Sequence, residues 1–272
     1  MHSPSAAQVE TTEAEFMYQL EAGAPDPDQE LLGIAVERLA GGVVLSAHND
    51  PTSYWSKALG FGFGEPVTEG LIDRVLDVWR DQQNPIGVLQ IAPEVTPHNW
   101  NQIRESRGLQ PAGRIAKMAA PIGDVVTTGV SDLRIAPVER QDAERWARVV
   151  LDGLGMPHDG LGGMFAAMVS HPRFYPYAAW DGDTIAGGGT LFVHDDIGEI
   201  VAGAVLEPYR NRGAQTALIG ARAAKARALG CRWLIGETGQ PAEGRSNSSM
   251  NNMIRAGLKP LYVRQNHTWR PA

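Results

Sequence analysis

A single cysteine, Cys231, in 272 residues leaves no intrachain disulfide and no thiolate metal cluster to hold the fold. Basic runs long enough to track a phosphate backbone are also missing, and a formal net charge of -7 argues against general nucleic-acid affinity while mildly favouring cationic substrates. No uninterrupted apolar run reaches membrane-spanning length. The opening MHSPSAAQVETTEAEFMYQL lacks a basic segment followed by an apolar core. A cytoplasmic protein with no nucleic-acid and no membrane partner is expected. There is no phosphate-loop lysine and no Gly-x-Gly-x-x-Gly fingerprint. What is present is 43% hydrophobic content, enough for a sizeable core, and a length that suits two domains.

In the first half, Thr11 to Leu20 reads as a short helix broken by Ala24-Pro25-Asp26-Pro27-Asp28. Leu31 to Ser46 reads as a hairpin turning at Gly41-Gly42, and Asn49 to Gly64 as a packed loop. Leu71, Val75, Val78 and Trp79 recur at helical spacing between Thr68 and Asp81. Ile86 to Ile91 fits a buried strand, and Thr96-Pro97 a helix start, with a stop near Gly108. His48 and His98 are isolated and read as surface or loop residues. This half offers no anion cradle and no paired acid and base.

Pro121 to Asp132 mixes turn formers with small polar residues and sets a domain boundary near residue 130, dividing the chain into 1–130 and 131–272. A strand over Leu133–Val138 leads to a helix bearing Trp146, Val149, Val150 and Gly153, then to a glycine-rich segment, Gly153 to Gly163, read as a mobile loop. Strands follow at Tyr175–Trp180, Thr184–Val193 and Gly198–Leu206. His194-Asp195-Asp196 reads as a solvated hairpin turn, since adjacent residues on a tight turn rarely converge on one ion. The strand from Glu199 feeds through Arg210-Asn211-Arg212-Gly213 into an alanine-rich helix. Backbone N–H groups therefore cluster at a positive helix end. Ala217, Leu218, Ala221, Ala224 and Ala228 are expected to face the sheet, with Arg222, Lys225 and Arg227 solvated.

The loop Arg210-Asn211-Arg212-Gly213-Ala214-Gln215, set between strand and helix and followed by a strand, a helix and a Gly257-Leu258 junction, resembles the phosphate loop of the GNAT (Gcn5-related) N-acetyltransferase superfamily. The resemblance covers about Leu133 to Trp269. Gln215 departs from the family pattern, which has a small residue there. Arg107-Gly108-Leu109-Gln110-Pro111 echoes Ala256-Gly257-Leu258-Lys259-Pro260, which suggests a tandem arrangement whose N-terminal half, 1–130, is degenerate and lacks the phosphate loop. The fold class implied is α/β (α+β): two GNAT-like domains, each a mixed, mostly antiparallel sheet flanked by helices.

The resemblance implies acetyl-CoA as cosubstrate and no metal. Pyrophosphate would lie on Arg210, Asn211, Arg212, Gly213, Ala214 and Gln215, the pantetheine arm on the backbone near Val205, and a further cofactor contact on Asn252 of Ser249-x-x-Asn252. Glu199, eleven positions before Arg210, matches the general-base glutamate of the histone-acetyltransferase branch. Read from its own surroundings it is the one acid inside an apolar strand, where partial burial would raise its pKa and suit it to take a proton; an ordinary glutamate beginning a strand is the other reading. The proton donor is unfilled, because Met253 occupies the usual tyrosine position and Tyr262 reads as a core residue. Cys231 has no histidine partner, which favours direct attack by a small-molecule or peptide amine over an acetyl-enzyme. A non-catalytic CoA-sensing or partner-binding module is the rival reading. The assembly is open, a homodimer included.

Overall fold

Ser5 fixes the start of the first helix. Its Oγ accepts the Gln8 N–H at 3.2 Å while Gln8 Oε1 accepts the Ser5 N–H at 3.0 Å, a reciprocal capping box. In the computed structural model, which describes residues 3–126 and 130–271, this helix, α1, spans Ala6–Ala22. It is longer than the expected Thr11–Leu20, because the Ser5 cap starts it at Ala6, and Glu10 and Glu13 lie on its buried side. The expected linker lies partly outside the described residues, at 127–129.

Pro25 and Pro27 do not end a helix; they open α2 (Asp26–Leu32). Proline suits a first turn whose N–H groups have no acceptor, and Asp26 and Asp28 favour its positive end. The hairpin β1 (Ile34–Leu39) and β2 (Gly42–Ala47) forms as expected. The segment read as a packed loop contains a short strand, β3 (Lys57–Leu59). Then come α3 (Glu69–Asp81), capped by Thr68, and β4 (Gly87–Gln90). Thr96 Oγ1 donates to Ala92 O at 3.0 Å instead of capping, so α4 (Trp100–Ser106) begins later than Pro97. A long strand that the sequence reading lacks, β5 (Gln110–Pro121), closes the first half.

The second half runs β6 (Arg134–Pro137), α5 (Ala143–Leu154), α6 (Leu161–Ala167), β7 (Phe174–Asp181), β8 (Thr184–His194) and β9 (Ile197–Val205). The glycine-rich segment 153–163 is therefore a helix end, a turn at left-handed Gly155 and Gly160, and a helix start. Next are α7 (Ala214–Ala228), β10 (Trp233–Gly239), α8 (Ser248–Arg255) and β11 (Lys259–Trp269).

The eleven strands among the described residues join one mixed, mostly antiparallel sheet in the order β1-β2-β3-β4-β11-β5-β10-β9-β8-β7-β6. Among the described residues only β3–β4 and β9–β10 are parallel pairs, and each is bridged by a helix, α3 or α7. Each unit continues into a short helix, a left-handed glycine (Gly108 or Gly257) and a long strand (β5 or β11). The short sequence echo thus marks equivalent positions of two copies. The long strands are exchanged: β11 lies between β4 and β5, and β5 lies between β11 and β10.

The copies diverge where strand meets helix. Between β3 and α3, Phe61 is buried among Val67, Leu71 and Ile91, so side chains fill the space after the strand. Between β9 and α7 the corresponding space is open. Helix α1 crosses the middle of the sheet, touching β1 and β2 on one side and β8 and β9 on the other. Met17 and Leu20 there share a core with Trp146, Phe165, Phe174 and Phe192.

Glu21, at the end of α1, is fully buried, and neither carboxylate oxygen has a partner among the described residues. Burial drives its pKa well above 4.5, with Asp50 adding and Lys57 opposing. Glu21→Met keeps the volume and removes the orphaned acceptors. It is expected to stabilise the protein by about 1–3 kcal/mol, read as a Tm roughly 2–10 °C higher in a thermal melt.

Candidate functional site

Strand β9 is paired with β10 only from Ile197 to Ile200; beyond that, β10 follows β5 and the two parallel strands part. Across β9 the register with β8 slips: Gly188 faces Ala204 and Thr190 faces Val201, so Ala202 and Gly203 oppose Gly189 alone. Ala202 takes φ 52° in this bulge. The β10-facing edge of β9 after Ile200 therefore has no strand beside it, and two confluent cavities, of about 320 and 580 Å³, open along it.

The smaller cavity holds Glu199, Ile200, Val201, Ala202 and Glu237, and its apolar wall comes from Phe16, Leu20, Trp55, Met156, Phe165 and Met168. The larger holds Val205, Tyr209, Arg210, Asn211, Gly213 and Ala214. Leu154, Gly203, Gln215, Ser249 and Asn252 line both.

Glu199 is not a strand-end residue: it is 1% exposed, flanked by β8 and β10, and its Oε2 has no partner among the described residues. Desolvation raises its pKa well above 4.5; Lys117 and Arg264 oppose the rise, while Glu13 and Glu237 reinforce it. These neighbours form a buried network contributed by both halves. Lys117 Nζ on β5 binds Glu13 Oε2 at 2.5 Å and Glu237 Oε2 at 2.7 Å. Arg264 on β11 binds Glu10, reaches Glu13 at 2.6 and 3.0 Å, and approaches Glu237 at 3.6 Å. Burial alone would raise the Glu13 pKa, but Arg264 and then Lys117 hold it well below the usual range. Tyr262 Oη donates to Glu10 Oε1 at 2.7 Å. Burial, then Glu10, raises the Tyr262 pKa, so this tyrosine belongs to the network and keeps its proton.

In the larger cavity, Asn211 (φ 64°) and Gly213 (φ 76°) are left-handed and turn the chain into α7, which has no side-chain cap. The Arg210 N–H donates to Glu207 O at 3.2 Å, but among the described residues the N–H groups of 211 to 216 have no protein acceptor. A Cβ on Gly213 would fall 2.0 Å from Val130 O, so glycine is required by the neighbouring chain as well as by φ. The Arg212 guanidinium points away from both cavities, into Asp132 (Nε to Oδ2, 2.9 Å) and Asp181 (Nη1 to Oδ2, 3.0 Å). Arg210 Nε donates to Val205 O at 3.3 Å. Asn252 accepts from Arg255.

Arg222 is not solvated. The buried face of α7 is Ala214, Ala217, Leu218, Ile219, Ala223 and Ala226 together with Arg222, while Ala224 and Ala228 face outward. Arg222, 2% exposed, lies against the sheet where Gly189 leaves room; a Cβ there would lie 2.7 Å from Nη1. Nε donates to Leu218 O, and Nη1 to Thr190 O and Val201 O at 3.3 and 3.2 Å. Burial, with no carboxylate paired to it, pushes its pKa down to about 10. The signal in the sequence is Gly187-Gly188-Gly189, three glycines inside a strand, which mark a close approach.

Residues 142–244 match the family model described as Acetyltransferase (GNAT) family. That match lies wholly within the second half, which is thus similar to a GNAT domain. The matched segment contains Glu199 and the loop Arg210–Gln215, and stops before Asn252. No curated protein matches the sequence. Among solved structures, a GCN5-related N-acetyltransferase from Kribbella flavida superimposes with TM-score 0.66 at 13% identity, covering 100% of this chain and 97% of that one. A GCN5-related N-acetyltransferase from Sphaerobacter thermophilus gives 0.61 at 16%, covering 100% and 96%. A tandem GNAT protein from the clavulanic acid biosynthesis pathway gives 0.58 at 14%, covering 99% and 98%. The GNAT fold thus extends over the whole chain as a tandem. Among the described residues no helix is long and apolar enough to cross a membrane, and no cluster of three or more His, Cys, Asp or Glu side chains is arranged for a metal ion.

Proposed function

We propose that the protein is a cytoplasmic, acetyl-CoA-dependent N-acetyltransferase in which a primary amine attacks the thioester directly and Glu199 is the general base. The observation that carries this reading is the placement of Glu199. It is an unpartnered, buried carboxylate at the wall of one cavity, and that cavity merges with a second one lined by free backbone N–H groups at a helix start. Residues 131–272 would hold acetyl-CoA, and 1–130 would serve without a phosphate loop.

The residues present fit this cosubstrate. The N–H groups from Asn211 to Gln215 converge at the positive end of α7 and suit a pyrophosphate, with Gly213 and Ala214 keeping the approach clear. Arg210 and Arg212 shape that loop through Val205 O, Asp132 and Asp181. The bare edge of β9 through Val205 offers main-chain groups to a pantetheine arm, and Asn252 lies beside both cavities. When bound, acetyl-CoA supplies the activated acyl group. Arg222 sets positive charge at the bulge, where the two cavities meet, and Glu199 takes the proton of the incoming ammonium.

Met253 also lines the smaller cavity, so no tyrosine hydroxyl stands at that position to protonate a leaving thiolate. This favours a second reading, a module that binds CoA without turnover. Calorimetric titration with acetyl-CoA, paired with a CoA-thiol release assay over a panel of primary amines, separates the two. The expected result is binding together with amine-dependent release; binding with no release from any amine would establish the second reading.

A further inference from the structure

The shape and charge of the smaller cavity point to its acceptor. We infer that the substrate is a small primary amine carrying one positive charge on an uncharged, apolar arm, such as an alkylamine or arylalkylamine. This rests on the acetyltransferase reading of the same site.

Charge sets the number of ammonium groups. Two carboxylates, Glu199 and Glu237, line the cavity, and Glu10 and Glu13 stand behind them in the buried network. Lys117 and Arg264 bind three of them, and Lys57, farther off, acts on Glu13. With Glu199 ionised, the four carboxylates stand against Lys117, Arg264 and the more distant Lys57, one negative charge in excess before Arg222 at the bulge is counted. Glu199, 1% exposed, lines the cavity and has an Oε2 without a partner among the described residues, so its carboxylate is the place for an ammonium.

The walls set the rest of the molecule. Phe16 and Leu20 from α1, Trp55 from the loop before β3, Met156, and Phe165 and Met168 of the α6 region enclose the acceptor side. Trp55 and Phe165 meet edge to face with ring centroids 5.9 Å apart. The polar lining besides Glu199 is Tyr54, Gln215, Arg222, Glu237, Ser249 and Asn252; peptide amides, sugar hydroxyls or a second ammonium laid against the apolar wall would be desolvated without partners. The one cation in the lining, Arg222, is held through Nη1 by Thr190 O and Val201 O, and its Nη2 lies beside Gly203, a residue that lines both cavities. A volume of about 320 Å³ admits a small molecule.

The step balances without another reactant. The amine nitrogen bonds to the thioester carbon as the carbon–sulfur bond breaks; one ammonium proton passes to Glu199 and the sulfur leaves as CoA. The products are an acetamide, CoA thiol and a proton released to solvent.

The test is a CoA-thiol release assay with 2-phenylethylamine and hexylamine set against phenylalanine, 1,6-diaminohexane and a tripeptide with a free N-terminus. Expected kcat/KM for the first two exceeds the others by roughly 100-fold. In Met156→Glu, a half-buried wall position, the ratio of diaminohexane to hexylamine activity is expected to rise at least tenfold. Comparable or better turnover of phenylalanine, the diamine or the tripeptide by the unaltered protein would overturn this substrate class while leaving acetyl transfer intact. Acetyl-CoA binding in calorimetry with no release from any amine would overturn the acetyltransferase reading itself, and the substrate class with it. The panel on the unaltered protein decides the matter even if the variant does not fold.

Discussion

Replacing Glu199 by Gln is expected to lower acetyl transfer at saturating acetyl-CoA by roughly 10²–10⁴-fold, with acetyl-CoA affinity unchanged in calorimetry. The substitution keeps the shape of the side chain and removes the proton acceptor. Because burial first, and then Glu13 and Glu237, hold the Glu199 pKa well above 4.5, the unaltered enzyme should lose kcat/KM as pH falls below that raised value. The variant should lack this acid limb.

The same shift has an opposite consequence for stability. Below pH 4.5 Glu199 is protonated in folded and unfolded chains alike. As pH rises, the unfolded chain releases the proton while the folded one retains it, so folding loses about 1.4 kcal/mol per pH unit up to the folded pKa. The Tm of Glu199→Gln relative to the unaltered protein should therefore rise from pH 4.5 toward neutrality and level off above the folded pKa. Unchanged activity in the variant, or a pH-independent Tm difference, would remove Glu199 from this role.

Arg264→Met should carry the largest cost in stability. Arg264 is fully buried, and its guanidinium binds Glu10 and Glu13 and approaches Glu237. Its loss leaves Lys117 as the one cation bonded to these acids, in a site where carboxylates cannot reach water. Removing one member of such a buried set costs about 3–5 kcal/mol, or a Tm roughly 6–20 °C lower. Adding Glu10→Met should restore part of that loss, since it removes one of the charges left behind, and the recovery measures the coupling between the two residues. A second readout ties the network to catalysis: Arg264 holds the Glu199 pKa down, so its removal should move the acid limb of the activity profile to higher pH.

The parts of the fold that could be read from the chain are those whose local pattern agrees with their surroundings. Thr68 caps α3 with four apolar residues on one face, the β1–β2 hairpin turns at its glycines, and β7 to β9 with α7 follow an unbroken alternation of strand, turn and helix. Strand β5 escaped because its buried face carries Lys117, and proline stands near both ends. The true extent of α1 escaped because the Ser5–Gln8 capping box lies in a stretch without helical apolar spacing, and the burial of Glu10 and Glu13 escaped with it. These residues tolerate burial only because their partners, Arg264 and Glu237, come from far along the chain, and no local window contains both signs of charge. Glu199 was legible as an acid in an apolar run, and Gly213 as a turn before a helix. The wall of the smaller cavity was not, because α1, the segment before β3 and α6 meet only after folding. Arg222 was missed because an arginine on an alanine-rich helix ordinarily faces water, and the opening that admits it is made by glycines on another element.

The exchanged strands also set a timetable. As the chain leaves the ribosome, β1 to β5 emerge early, yet the slot between β4 and β5 belongs to β11, which begins about 140 residues after β5 ends. At ordinary rates of synthesis that interval is roughly 7–30 s, during which the facing edges of β4 and β5 lack their partner. The first half therefore waits for β11 before its sheet is closed, and a nascent chain stalled short of that strand would present two unpaired edges to chaperones.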